Sequence, residues 1–181
     1  LVGIAGSVLN NQSHKAQNTD ERLEFDLCDV VIAKSVIDYE LRKETDKGTE
    51  HRARIFDISA ESVSIVNDFL VMLETEPLTA MEGSKNDMLH VLFEPIGSGN
   101  AVIGNELSEI VIWLKNVNSK VAAVEMEASG VSSAFYERRL GNHAVQGLLV
   151  IRGISDIADV DKGLTKALRK PGAQNAVLVT K

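Results

Sequence analysis

Short apolar runs alternate with amphipathic segments along most of the chain. The runs are short and rich in β-branched residues, which predicts strands. The predicted strands are Asp29 to Ile37, Leu89 to Ile96, Lys120 to Met126 and Gly147 to Arg152. In addition, Val2 to Gly6 is typical of the end of a buried strand that enters a glycine turn.

The segments between the strands place apolar residues at helical spacing. In one of them Val66, Phe69 and Leu73 share a face, and Ser59 precedes it as an N-cap. The predicted helices are Glu61 to Glu74, Glu106 to Val117, Ala128 to Leu140 with Gly141 as C-cap, and an uncapped segment from Ala173 to Lys181. Polar segments without a period predict loops at Asn10 to Glu24, Glu44 to Arg54 and Glu74 to Asp87.

Strands that alternate with helices predict an α/β fold, a three-layer sandwich around a central mixed, largely parallel sheet. A length of 181 residues with 44% hydrophobic content is enough for the core of one domain, which we assign to residues 1–181. Because the chain opens at Leu1 directly in a strand pattern, we expect the domain to be truncated at its N-terminus. The uncapped last segment suggests the same for the C-terminus.

Composition narrows the class of protein. A net charge of −7 and a pI near 5.1 disfavour a nucleic-acid partner. No apolar run approaches the length of a membrane span, no secretion signal opens the chain, and Cys28 is the only cysteine. We therefore expect a cytoplasmic protein that does not bind membranes. No metal site is predicted, because the four histidines are not spaced as metal ligands are; they are His14, His51, His90 and His143.

Polar or glycine-rich residues follow four of the apolar runs. In open α/β sheets ligands bind beyond the carboxyl ends of strands, so these positions are candidate binding sites. They are Gly3 to Ser7, Ser98 to Ile103, Glu125 to Glu127, and Arg152 to Asp156.

Two of these positions hold carboxylates that fit either a chemical or a structural role. Glu125 and Glu127 lie on the same side of an extended chain and could accept protons from a vicinal diol, or they could cap the following helix. Asp156 in a partly dry pocket could hold a proton at neutral pH and act as a general acid, or it could be an N-cap with Ser155 in the turn. Spacing alone favours the capping role in both cases.

Two long segments resemble a known superfamily. Ala123 to Val131 (AVEMEASGV) and Val150 to Asp159 (VIRGISDIAD) are similar to the two signature segments of the purine nucleoside phosphorylases and methylthioadenosine/S-adenosylhomocysteine nucleosidases. Val2 to Ser7 (VGIAGS) resembles the glycine turn beside the phosphate or nucleophile site, and Gly97 to Ile103 (GSGNAVI) resembles the base-contacting loop. The resemblance spans nearly the whole chain and places the family's opening strand before Leu1, so that the sheet would lack its first strand.

The resemblance implies a role for each site residue. Asp156 would face N7 of a purine as the catalytic acid, with Ser155 orienting it. The substrate-binding residues would be Glu127 on the ribose diol, Met126 against the sugar, Val102 and Ile103 beside the base, and Glu125, Ala5 and Gly6 nearby. Many nucleosidases have an aromatic residue at the position of Val102. Hexameric phosphorylases use a serine of the glycine turn to hold phosphate, and the matching residue here is Ile4.

These roles predict an enzyme that hydrolyses the N-glycosidic bond of an adenosine-type nucleoside such as methylthioadenosine or S-adenosylhomocysteine. No cofactor is expected. One alternative is a nucleoside phosphorylase with phosphate as co-substrate, and another is a nucleotide-sensing module of a larger signalling or defence protein. The resemblance also implies a homo-oligomer that binds a small nucleoside or nucleotide.

Overall fold

The computed structural model describes residues 1–9, 26–46, 48–84, 86–104, 108–140, 147–157 and 166–181. Its strands are β1 (Val2–Ser7), β2 (Val30–Asp38), β3 (Arg42–Thr45), β4 (Gly48–His51), β5 (Arg54–Asp57), β6 (Val91–Ser98), β7 (Ala123–Glu125) and β8 (Ile151–Ile157). Its helices are α1 (Ala60–Thr75), α2 (Glu109–Val117), α3 (Ala128–Leu140) and α4 (Arg169–Leu178), the last preceded by a short 3₁₀ turn at Lys166–Leu168. Within these ranges no helix is long and apolar enough to cross a bilayer.

Six of the described strands form one mixed sheet in the order β5-β2-β6-β7-β1-β8. The pairings β2–β6, β6–β7 and β1–β8 are parallel, whereas β1–β7, β2–β5 and β2–β8 are antiparallel. Because β8 pairs with both β1 and β2, the sheet curls back on itself. The predicted α/β class with a central mixed sheet is confirmed, and within the described part of this sheet three pairings are parallel and three are antiparallel.

The central strand β2 shows why helices cover both faces of the sheet. Its sequence VVIAKSVID is almost continuously apolar and buried, as expected for a strand without a solvent face. Val31 and Ala33 belong to the core on the α3 side, while Val30 and Ile32 pack against α1 and α4 on the other. A further apolar cluster, with Leu114 of α2, lies where β2 and β7 end.

The predicted helices are present, and side-chain caps mark the starts of α1 and α2. The hydroxyl of Ser59 accepts the Ser62 amide at 3.2 Å, as predicted, and Ser108 accepts the Val111 amide at 3.3 Å. The cap at Ser108 starts α2 at Glu109, later than the predicted Glu106. The last helix spans Arg169–Leu178, earlier than predicted. The proposed C-cap Gly141 and the predicted loop at residues 10–24 lie outside the described residues.

Three predicted boundaries are wrong. The Glu44 to Arg54 segment is not a loop, because β3 and β4 form a hairpin that turns at Gly48 with φ +115°. Both strands are mostly exposed, so they lack the apolar alternation that marks a half-buried strand. The strand predicted at Gly147 to Arg152 is Ile151–Ile157, and the glycine turn predicted at the end of Val2 to Gly6 is absent there, because β1 continues to Ser7. The candidate site segments Gly3 to Ser7 and Arg152 to Asp156 therefore lie inside strands β1 and β8.

We expect Asn175→Ala to lower the free energy of unfolding by roughly 2–4 kcal/mol, because several buried polar groups lose their partner at once. Asn175 is fully buried; its amide donates to the Cys28 carbonyl at 2.8 Å and to Ser84 Oγ at 3.0 Å, and its oxygen accepts the Met81 amide at 2.8 Å. Urea denaturation measures the loss. The matched control is Gln174→Ala, at an exposed position of the same helix, which should change stability little. Equal losses in the two variants would contradict this assignment.

Candidate active site

A cleft of about 230 Å³ opens where β1, β7, β8 and the loop after β6 meet. All nine residues that the sequence suggested for the site line it, although they come from four separate segments. The lining residues are Ile4, Ala5, Gly6, Tyr39, Ala101, Val102, Ile103, Val124, Glu125, Met126, Glu127, Ser155, Asp156 and Arg169. The sequence motifs thus converge on one site.

A β-bulge between β1 and β8 sets the direction of the Asp156 side chain. Ala5 pairs with Ile154 and Gly6 with Asp156, so that Ser155 is the extra residue. Neighbouring side chains of a regular strand point to opposite faces, but a bulge re-aims one of them. A Cβ at Gly6 would lie 2.7 Å from Asp156 Oδ1, which explains why glycine is needed beside the carboxyl.

Ser155 and Asp156 contact each other as the resemblance implied. The buried Ser155 hydroxyl lies 2.9 Å from Asp156 Oδ2 and 3.5 Å from the Ala5 carbonyl. Asp156 itself is partly buried and lies inside β8, so it is not the N-cap that spacing alone favoured. The strand therefore presents a carboxyl, held by one hydroxyl, to the cleft.

The two glutamates of the other motif have different surroundings. The Glu125 carboxylate accepts the amides of Glu127 at 3.0 Å and Ala128 at 3.0 and 3.1 Å, and its side chain is 1% exposed. It therefore caps the start of α3, as the structural alternative predicted. Glu127 is 63% exposed along the cleft and makes no such cap. Of the two carboxylates, Glu127 is the more accessible to a ligand.

A buried arginine joins the two glutamates. Arg152 Nη2 donates to Glu125 Oε2 and, at 3.1 Å, to Glu127 Oε2, while its own side chain is only 3% exposed. Its guanidinium occupies the space where a Cβ at Gly3 would stand, so the neighbouring strand needs a glycine there. Arg152 Nε has no hydrogen-bond partner among the described residues. This ion pair engages one oxygen of Glu127, whose side chain stays largely exposed.

The apolar walls are unevenly exposed. Ile103 is buried, whereas Val102 is 69% and Met126 44% exposed, so the cleft is open on their side.

Within the described ranges no group of three or more His, Cys, Asp or Glu side chains is placed to hold a metal ion.

Sequence reasoning missed two polar residues of the cleft. The sequence led to no predicted role for Tyr39, two residues beyond the predicted strand Asp29 to Ile37, or for Arg169 at the start of α4. Tyr39 could have been suspected from the sequence, because it is a polar residue close to the carboxyl end of the predicted strand Asp29 to Ile37. Arg169 is distant from every motif, and only the packing of α4 against β1 and β8 brings it to the cleft.

The architecture can be compared with that of known proteins. The sequence matches no protein-family profile, and no curated protein is significantly similar to it. Solved structures, in contrast, match over almost the whole chain at 15–19% identity, which establishes the fold expected from the resemblance.

Three of these structures illustrate the likeness. The 5′-methylthioadenosine/S-adenosylhomocysteine nucleosidase of Neisseria meningitidis, in complex with methylthio-immucillin-A, superposes with a TM-score of 0.66 at 19% identity. It is matched over 99% of this chain and 65% of its own. A putative nucleosidase of the same kind from Borrelia burgdorferi, bound to adenine, has a TM-score of 0.66 at 15% identity, and the match covers 97% of this chain and 64% of that structure. Futalosine hydrolase of Helicobacter pylori has a TM-score of 0.63 at 16% identity, and the match covers 99% of this chain and 64% of that structure. The chain thus spans about 65% of the length of these structures.

We expect Arg152→Met to lower the free energy of unfolding by about 3 kcal/mol or more, because it leaves the buried Glu125 carboxylate without its cation. The control is Glu127→Gln, which breaks only the exposed half of the ion pair and should cost less than about 1 kcal/mol. Thermal or urea unfolding measures both. If Glu127→Gln proved as costly as Arg152→Met, the described division of roles would be wrong.

Proposed function

We propose that this protein hydrolyses the N-glycosidic bond of an adenosine-type nucleoside such as methylthioadenosine or S-adenosylhomocysteine. The observation that supports this most directly is the pair of carboxyl groups, Asp156 and Glu127, that line one cleft of a nucleosidase fold. The structures of similar fold that hold methylthio-immucillin-A or adenine favour an adenine-bearing substrate.

In the proposed reaction Asp156 is the general acid. The bond between ribose C1′ and base N9 breaks, its electron pair goes to the base, and the Asp156 proton goes to N7. Ser155, 2.9 Å from the carboxyl, keeps it turned toward the cleft. Water then bonds to C1′, and the proton it releases restores the acid. A general acid of this kind contributes on the order of 10² to 10⁴ in rate.

Glu127 holds the other half of the substrate. A carboxylate accepts two hydroxyl protons at once, which suits the 2′ and 3′ hydroxyls of ribose. Its negative charge also stabilises the positive charge that develops on the sugar as the base leaves. Arg152, bonded at 3.1 Å, fixes the orientation of Glu127, and Met126 forms the apolar wall against the sugar. The reaction requires no cofactor.

A phosphorylase is the second candidate, with phosphate in place of water. It is favoured by the guanidinium of Arg169, a cation that lines the same cleft. It is disfavoured by Ile4, which also lines the cleft and offers no hydroxyl to an anion. Whether base release depends on phosphate decides between the two.

The resemblance also leads us to propose a homo-oligomer in the cytoplasm. Val102 and Met126 at the mouth of the cleft present the kind of exposed apolar surface that a second copy would cover.

Asp156→Asn should reduce base release about 10²- to 10⁴-fold, because the amide cannot donate the proton. Methylthioadenosine, S-adenosylhomocysteine, adenosine, inosine and ATP are each incubated with the protein, with and without phosphate, and the free base is measured by chromatography. The control is Asp68→Asn, at an exposed aspartate of α1 that does not line the cleft and should keep full activity.

Release without phosphate supports hydrolysis, and strict phosphate dependence moves the assignment to a phosphorylase. If the folded wild-type protein releases no base from any substrate, the enzymatic proposal fails and a nucleotide-binding module takes its place.

Glu127→Gln should lower kcat/KM about 100-fold for a ribonucleoside and much less for its 2′-deoxy analogue, because the deoxy substrate lacks one of the hydroxyls that the carboxylate accepts. Steady-state kinetics with adenosine and 2′-deoxyadenosine measure this difference. Glu137→Gln is the matched control, at an exposed glutamate of α3, the helix that begins directly after Glu127, and should leave both values unchanged. Equal losses on the two substrates would argue against the diol role.

A further inference from the structure

Two consecutive residues at the end of β2 hold three consecutive residues of the loop that follows β6. The Tyr39 hydroxyl lies 3.1 Å from the Gly99 carbonyl and 3.0 Å from the Ala101 carbonyl. Glu40 Oε1 accepts the Asn100 amide at 2.6 Å. These two side chains form what we call the β2 clamp.

The clamp leaves the loop little freedom. Tyr39 is 2% exposed, and a Cβ at Gly99 would meet the edge of its ring. The Gly99 amide also donates to the Glu125 carbonyl at 3.1 Å, which ties the loop to β7. The position of the loop is therefore set relative to the strands that carry the other site residues.

The clamped residues lead directly to the wall of the cleft. Ala101, Val102 and Ile103 line it, and Ile103 packs in the same apolar cluster as Tyr39. Val102 lacks the bulk of an aromatic residue and is largely exposed, so stacking by this side chain contributes little to holding a base. Recognition of the base then depends on where the loop backbone lies.

We propose that Tyr39 is a positioning residue that sets base affinity and base selectivity by fixing the loop from Gly99 to Ile103. This inference rests on the proposed function, because it assumes that the cleft receives a purine. The Tyr39 hydroxyl does not act on the reacting atoms; it acts through the loop carbonyls that it holds.

The electrostatics keep the clamp intact. Burial, together with the negative charges of Glu40, Glu125 and Asp38, raises the pKa of the Tyr39 hydroxyl well above its ordinary value. The hydroxyl therefore stays protonated, and it remains a donor to the loop carbonyls throughout the neutral and mildly alkaline range.

The test is Tyr39→Phe, which keeps the ring against Gly99 and removes only the hydroxyl. The chain contains one other tyrosine, Tyr136, whose hydroxyl donates to the Asp57 carbonyl away from the cleft. Tyr136→Phe is thus a control that deletes the same group and the same kind of bond. Three quantities are measured for each variant: KM and kcat, the inhibition constants of adenine and hypoxanthine, and hydrogen exchange of the amides from Gly99 to Ile103 without ligand.

Tyr39→Phe should raise KM and the inhibition constant of adenine about tenfold, the equivalent of roughly one hydrogen bond, with kcat changed much less. The preference between adenine and hypoxanthine should narrow, and the loop amides should exchange faster. Tyr136→Phe should change none of these. If Tyr39→Phe does not fold, Glu40→Ala removes the other half of the clamp from an exposed position and should show the same pattern.

Unchanged loop exchange in Tyr39→Phe overturns the inference, and so does faster exchange with unchanged KM and unchanged base inhibition. A wild-type protein that binds neither base and releases none fails the proposed function instead. In that case the loop is not a base-recognition loop, and this part of the inference is wrong. The hydrogen-exchange experiment still decides whether Tyr39 holds the loop.

Discussion

The buried ion pair between Arg152 and Glu125 is the interaction on which the rest of the site depends. A buried charge is costly unless it is paired, and here the carboxylate is paired with Arg152 and also accepts the backbone amides of Glu127 and Ala128 at the start of α3. The pair joins β8, which carries Asp156, to β7 and the helix that begins beside Glu127. One electrostatic contact thereby fixes the distance between the two halves of the cleft.

The sequence predicted which segments meet at the cleft more accurately than the bounds of the elements that build it. The two signature segments identified Glu127 and Asp156 because their residue types and order are specific, and the cleft brings them together. Spacing alone favoured helix caps for both pairs of candidates. That was correct for Glu125, whose oxygens bind α3, and wrong for Asp156, because a pattern along the chain does not reveal a bulge in the pairing of two strands.

The wrongly predicted loop at Glu44 to Arg54 has a physical cause. Apolar periodicity reports which face of an element is buried. The buried strand β2 was therefore predicted within one residue, whereas the exposed hairpin β3–β4 was wrongly predicted as a loop. Arg169 could not be predicted for a different reason, since it reaches the cleft only through the packing of α4 against β1 and β8. Contacts between distant segments carry no local pattern from which they could be predicted.

The bulge in β8 also determines when the site comes into existence. Since the direction of the Asp156 side chain follows from the pairing of β8 with β1, it is decided when the two strands align, before any ligand arrives. The backbone directs the Asp156 side chain to the cleft without help from a ligand, so this part of its preorganisation belongs to the folding of the sheet. A change of one residue in the register of β8 would erase the site while leaving every side chain of the motif in the sequence.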